Sequence, residues 1–479
     1  MPYSPDSPRA VDRVSPARTE PLAAGVIERL GGPVGRFGRV GNQPWWTPLR
    51  VLIALGMTFL SLGYLSKAHC LHGVASEGEV TLNWSGNRQY MSACYSDIAG
   101  TYGTVHAEGV GNPFAARVAT EPVLTSLFQW LLGALSDLTY PLIRALPVAV
   151  APAAWYFMLT AVALGGLWII TLRLLFDVAG NRPWDLVLVA ASPLLIVYVF
   201  HGWEVLSVAA LAAALRAVRY RRPARAGIWV GLGAACQGWP ILLLVALLLL
   251  AARAKSRAQW VFLRRAAGAA GATWLAISLP VAVLYPQAWL DSYRTLLGRE
   301  AGWGTLYHLV GEALGAAFPP VALSVLVPGL WAVAVLIVAQ WVISAARPPR
   351  LAEVLFLLIA VTLLVSRQWL PQQSLWLLVP AVLALPRWRW LLGWMGLEFL
   401  VFPATMLYSG AEDANALPLW LFAVLILVRG GAVTALVVQV VQQIKGQRED
   451  KVYAAQRGVD PLLPWREDSA AEVVGVNRP

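Results

Sequence analysis

The chain has 479 residues, of which 58% are hydrophobic and 13% charged, with a formal charge of +11 and a mean hydropathy of +0.61. That balance excludes a water-soluble enzyme with one large core and predicts an all-α polytopic membrane protein, because several apolar runs reach the roughly 20 residues that a helix needs to cross a ~30 Å hydrocarbon layer. The excess of Lys and Arg lies in short connections between those runs, where it reports sidedness; no nucleic-acid-binding motif accompanies it, so a nucleic-acid partner is not expected.

Residues 1–47 are polar and rich in Pro, Gly and Arg, and read as a disordered cytoplasmic tail with no cleavable signal peptide. The run from Pro48 to Ser66 follows Arg36 and Arg39 and reads as a first spanning helix and signal anchor. From 67 to 149 acids outnumber bases, which predicts a long outside loop; within it, the apolar stretch 123–135 reads as a short interfacial helix. The cluster Arg216, Arg219, Arg221, Arg222 and Arg225 fixes the cytoplasmic side. Spans are then expected near 151–175, 185–200 and 205–218, two short helices meet at Gln237-Gly238-Trp239-Pro240, and an outward span ends near Tyr285.

A second outside loop follows at 286–318, then spans at 321–345, 351–366, 371–386, 390–408 and 416–443, with 444–479 as a cytoplasmic tail. The transmembrane domain is 48–443, with about twelve crossings and both termini inside.

This topology puts the unusual polar residues at span ends, His201, Glu204, Gln237, His308, Arg367 and Gln372, on one non-cytoplasmic face. Ionisable groups at membrane depth are costly, so their convergence points to a site or pathway there. Two of the three cysteines, Cys70 and Cys94, fall in the first outside loop, where an oxidising compartment favours a disulfide; Cys236 reads as a small packed hydrophobe.

In Cys94-Tyr95-Ser96-Asp97-Ile98 the carboxylate of Asp97 is either a general base at the membrane surface or a helix-start residue after Ser96. Glu121, before Pro122, reads as a helix-dipole partner or as a substrate contact. Glu204, in the tight connection His201-Gly202-Trp203-Glu204, is expected to face the site rather than lipid.

His69 and His72 lack a matching carboxylate, and no zinc motif is present, so no metal is expected. Gly231-Leu232-Gly233 lacks the residues of a phosphate loop and reads as close helix packing. Most of the 23 tryptophans read as interface anchors, with Trp303, Trp369 and Trp376 also able to stack on a sugar or a prenyl chain.

Several segments, in this order, resemble the polyprenyl-phosphate-dependent membrane glycosyltransferases of the GT-C superfamily, specifically glycosyltransferase family 87, which contains α-mannosyltransferases. They are Cys94-Tyr95-Ser96-Asp97-Ile98 with Tyr102; Glu121-Pro122-Val123-Leu124-Thr125; Gly202-Trp203-Glu204; Ala226-Gly227 through Gly231-Leu232-Gly233-Ala234-Ala235 to Pro240; Gly302-Trp303-Gly304-Thr305-Leu306-Tyr307; and Pro371-Gln372-Gln373-Ser374-Leu375-Trp376-Leu377.

The resemblance implies a GT-C-like bundle in the plasma membrane that takes a sugar, mannose before arabinofuranose, from a lipid-linked donor on the outer face. The sugar passes with inversion to a glycolipid or glycan acceptor, with no cofactor beyond the donor. It further implies Asp97 as the base and Glu204 as an orienting acid; Tyr102, Arg117, Glu121, His201, Gln237, Trp303, Tyr307, His308, Arg367 and Gln372 are the candidate substrate contacts.

The chain departs from the family pattern at Gln237, where Lys is usual, at Glu121, where Tyr is usual, and at Gln373, where Tyr follows Pro-Gln. A donor phosphate would then depend on other groups, with Arg367, His308 and Arg117 as candidates. The rival readings are an inactive glycolipid-binding relative or scaffold, and a transporter of lipid-linked or polar substrates; the absence of an internal repeat argues against the transporter.

Overall fold

The structure, a computed structural model, describes residues 47–76, 79–103, 112–115, 121–145, 147–180, 182–410, 416–456 and 458–463. These residues form a helical bundle. Its first helix, α1 (Pro48–Ala68), starts where Thr47 accepts a hydrogen bond from the Arg50 backbone and Pro48 occupies the first turn.

The first loop holds a small antiparallel hairpin, β1 (Gly73–Ser76) and β2 (Glu79–Leu82), in which Val74 pairs with Thr81 and Ala75 with Val80. Two one-turn helices follow, α2 (Arg88–Met91) and α3 (Asp97–Gly100). A disulfide joins Cys70 to Cys94 across a Cα separation of 6.0 Å.

Beyond the loop come α4 (Val123–Arg144), α5 (Pro152–Ala179), α6 (Val187–Ala190), α7 (Pro193–Tyr198), α8 (Glu204–Arg219), α9 (Pro223–Cys236) and α10 (Leu242–Ala254). The chain continues through α11 (Arg257–Leu284), α12 (Pro286–Gly298), α13 (Leu306–Leu314), α14 (Pro320–Ile343) and α15 (Leu351–Val365). It closes with α16 (Ser374–Ala384), α17 (Trp388–Ser409), α18 (Leu419–Ile444) and α19 (Lys451–Ala455).

Six of these, α1, α5, α11, α14, α17 and α18, are long and apolar enough to cross a membrane. The expectation of about twelve full crossings is therefore not met by length among the described residues. Among the remaining expected spans are shorter helices: α8, α15 and α16 have 16, 15 and 11 residues, and most residues of each are buried. A helix apolar on all sides can be either a lipid-exposed span or a core element, and hydropathy does not separate the two. The outer helices show the opposite pattern, as in α14, where only Leu323, Val338 and Val342 are buried.

Three local expectations are also revised. The run 185–200 is not one helix: a 3-10 turn at Pro183–Leu186 leads into α6, and Ser192 then caps α7 by accepting a hydrogen bond from Leu194 N at 3.3 Å, with Pro193 in its first turn. The interfacial segment 123–135 is part of the 22-residue α4. The tail after 444 is not all separate from the bundle, because Asp450 pairs with Arg350 at 2.7 Å and Asp460 accepts from Leu351 N at 2.8 Å.

Glycines set one crossing. A Cβ on Gly227 would collide with the Ala266 carbonyl oxygen, and one on Gly231 would lie 2.5 Å from that of Ala270, so α9 and α11 touch backbone to backbone. This contact brings α11, otherwise largely exposed, against the part of the bundle that holds the polar helix ends.

Candidate active site

Asp97 is fixed from behind. The Ser96 hydroxyl accepts from Ile98 N at 3.2 Å and donates to the Phe200 carbonyl at 2.7 Å, while Asp97 N donates to the His201 carbonyl at 2.9 Å. The Ser-Asp pair thus starts a helix, and the same cap locks the residue against the turn before α8. Of the sequence's two readings of Asp97, the helix start is a structural fact, and it leaves the carboxylate free for chemistry.

That carboxylate is 36% exposed. Its Oδ2 accepts from Gln372 Nε2 at 3.3 Å and lies 3.8 Å from His201 Nε2. His201 Nδ1 sits 3.1 Å from the Tyr95 carbonyl oxygen, which only accepts, so Nδ1 carries a proton and Nε2 is the ring nitrogen turned toward Asp97. Burial, together with the nearby Asp97 carboxylate, holds the Tyr95 phenol above its usual range, so it remains a donor. Lys67 is buried beneath, its Nζ donating to the Tyr95 carbonyl at 3.2 Å and lying 3.7 Å from the centroid of the Phe402 ring.

Asp97 opens onto a cavity of about 800 Å³. Glu121, Glu204, Gln237 and Gln372 share its lining, so five residues singled out in the sequence come together although they are spread over 275 positions. Glu204 is the first residue of α8 and is 5% exposed; its Oε2 is buried without a hydrogen-bond partner, as is Oε1 of Gln372. Ser207 joins the neighbouring groups by donating to the Glu204 carbonyl at 2.9 Å and to Gln237 Oε1 at 2.8 Å, and it accepts from Trp239 Nε1 at 3.0 Å. Trp239 in turn stacks on Trp376, whose ring lines the cavity.

Two buried oxygens without a partner, on residues of the cavity lining, are suited to hydroxyl donors, and a sugar supplies several of these. The opposite wall is apolar, formed by Ala267, Ala270, Gly271 and Trp274 of α11. Glu121, just before α4, has its carboxyl pushed up to about 7, chiefly by burial, with Asp97 adding to the rise and Arg299 opposing it.

The other expected contacts lie elsewhere. His201 is packed behind Asp97 and does not line the cavity. Tyr102 turns away to donate to Asp137 Oδ1 at 3.2 Å, with its ring 5.3 Å from Tyr156. Tyr307 donates to the Val365 carbonyl at 3.0 Å, His308 Nε2 meets the Tyr408 hydroxyl at 3.1 Å, and Trp303 packs edge-on against Tyr408. Arg367 donates to the carbonyls of Leu297 at 3.0 Å and Arg299 at 3.4 Å and to Ser324 Oγ at 3.2 Å. Arg117 lies outside the described residues.

Arg299, Lys67 and Tyr95 were missed as site residues. Arg299 is the one Lys or Arg on the cavity lining among the described residues. Tyr95 had a signal, its place two residues before Asp97 in the quoted motif. Among the described residues, the one grouping close enough to hold a metal is His69, Cys70 and Cys94, and its two sulfurs are joined in the disulfide.

No curated protein matches the chain. The matched region contains Glu204, Gln237 and Arg299, whereas Asp97, Glu121 and Gln372 flank it and enter the same cavity through the fold. The chain resembles glycosyltransferase family 87, whose model matches residues 137–367, and the match supports a membrane glycosyltransferase.

Proposed function

We propose that this protein transfers a sugar, mannose first and arabinofuranose second, from a polyprenyl-phosphate donor to a hydroxyl of a cell-envelope lipid or glycan. The observation that carries the reading is a rigidly capped, half-open carboxylate, Asp97, facing a cavity that also holds the unpartnered acceptors of Glu204 and Gln372. Asp97 takes the proton of the acceptor hydroxyl as that oxygen attacks the anomeric carbon. The bond from the anomeric carbon to the phosphate oxygen breaks with inversion, and polyprenyl phosphate leaves. Glu204 and Gln372 hold the sugar hydroxyls, and the α11 wall takes the start of the prenyl chain.

The positive charge in the connections at the other ends of the spans supports a site on the outer face of the plasma membrane with both termini cytoplasmic. No metal or further cofactor enters this chemistry. A second reading, an inactive glycolipid-binding relative, is favoured by Gln237 alone, because the usual Lys is absent there.

The test is transfer from labelled polyprenyl-phosphate mannose by membranes holding the wild type or Asp97→Asn at equal levels. Loss of about 10²-fold or more in turnover is expected. An Asp97→Asn enzyme as active as wild type refutes the base, and no transfer by the wild type from either donor moves the reading to the binding protein.

A further inference from the structure

The cavity lining holds three carboxylates, Asp97, Glu121 and Glu204, and the uncharged Gln237. A lipid phosphate entering such a space meets the like charge of Asp97, with no positive charge from Gln237, and needs a cation to offset it. Resting on the reading above, we propose that Arg299 is the group that binds the donor phosphate, and that Arg367 is a positioning residue that sets the Arg299 loop.

Three observations support the assignment. Arg299 is partly exposed, and among the described residues its side chain has no hydrogen-bond or ion-pair partner, so its guanidinium is free for an anion and can engage two phosphate oxygens at once. It also borders the space in which the substrate would lie. The unpartnered acceptors mark where sugar hydroxyls go, and the apolar wall of α11 marks the tail. At Gly271 on that wall a Cβ would meet nothing within 4 Å, which leaves room for a chain. Arg299, following the end of α12, borders the same space, so a phosphate between sugar and tail falls within its reach.

The third observation is the clamp. Arg367 grips the carbonyls on either side of the α12 end and Ser324 Oγ with one Nη. Ser324 Oγ donates to the Leu297 carbonyl at 3.0 Å, Gln368 Nε2 to that of Glu300 at 2.7 Å, and Gly302 N to that of Arg367 at 2.7 Å. The loop that presents Arg299 is thus tied to the loop that leads to Gln372. Arg367 acts through this tie, with one Nη engaged on two carbonyls and the Ser324 hydroxyl, and it does not line the cavity.

The experiment uses the full-length protein in detergent and titrates decaprenyl phosphate and the uncharged decaprenol, read by fluorescence of the cavity tryptophans Trp274, Trp289 and Trp376. Wild type is expected to bind the phosphate about tenfold or more tightly than the alcohol. Arg299→Gln should bring the ratio near one with alcohol binding unchanged, and Arg367→Gln should lower it part of the way. Arg299→Glu, a second variant with the charge reversed, should favour the alcohol. A ratio kept at the wild-type value in the Arg299 variants overturns the assignment while the lipid-phosphate reading stands, and a ratio near one in the wild type overturns both.

Discussion

Replacing Arg429 with Met tests how the loop that carries Gln372 is held. Arg429 on α18 and Glu398 on α17 are both fully buried, and the guanidinium Nε lies 3.1 Å from each carboxylate oxygen. The other arm of the fork donates to the Trp369 carbonyl at 3.1 Å, the Leu370 carbonyl at 3.4 Å and Ser374 Oγ at 2.9 Å, with the group 4.0 Å from the Trp369 ring centroid. Arg429→Met leaves Glu398 buried without its cation, a change that costs about 3–5 kcal/mol. The double variant Arg429→Met with Glu398→Leu removes the lone charge and leaves three acceptors short of a donor, at about 1 kcal/mol each less what the two added apolar side chains return. The double variant is therefore expected to be about 2 kcal/mol more stable than the single one. Reversible unfolding in mixed micelles measures both, and a double variant no more stable than Arg429→Met refutes the reasoning. Because the same arm anchors the loop that carries Gln372 to Asp97, both variants should also transfer more slowly.

Two further outcomes follow from the first loop and from Glu121. Serine at both Cys70 and Cys94 should cost about 3 kcal/mol in the chain-entropy account of a loop of this separation, and reductant should bring the wild type down to the variant's stability; a wild type indifferent to reductant contradicts this. Glu121 titrates near 7 when folded against 4.5 as its ordinary value, so it binds its proton more tightly when folded; this group's contribution to stability is greatest at acid pH and is lost between about 4.5 and 7. Above 7 its carboxylate, beside Arg299 and facing Asp97, competes with a donor phosphate, so the donor KM should rise from pH 6 to pH 8 in wild type and stay flat in Glu121→Gln. An identical rise in the variant assigns the titration to another group.

The shared lining of Asp97, Glu121, Glu204, Gln237 and Gln372 was legible because each is a polar residue beside an apolar run, where desolvation leaves few places for it except a common interior space. Arg299 gave no such signal. It stands in a polar loop close to Arg294, where cations are ordinary, and only the fold turns it toward the cavity. Arg367 misled for the converse reason: an arginine at a span end has the chemistry for phosphate, but its reach is consumed by carbonyls of a loop about 70 residues away in sequence. The number of full crossings was illegible on physical grounds as well. The apolar composition of α8, α15 and α16 suits a lipid-facing span, and only packing shows that protein surrounds them.

That packing explains why an open, polar cavity persists within an apolar bundle. The buried short helices give a rigid interior whose ends, not whose middles, carry the polar groups: Glu204 begins α8, Gln237 follows α9, and Gln372 stands in the turn before α16. Backbone groups left over at these ends, together with the side chains there, can be satisfied by one another or by a ligand, so the polarity costs less than it would mid-helix. The far wall has a different origin. It is α11, largely exposed on its other faces, drawn in by Gly227 and Gly231 and faced with alanine, glycine and tryptophan. A side chain at either glycine would push α11 outward and widen the space that Asp97 shares with its substrate, so two residues with no chemistry of their own set the distance between the base and the lipid-facing side of the site.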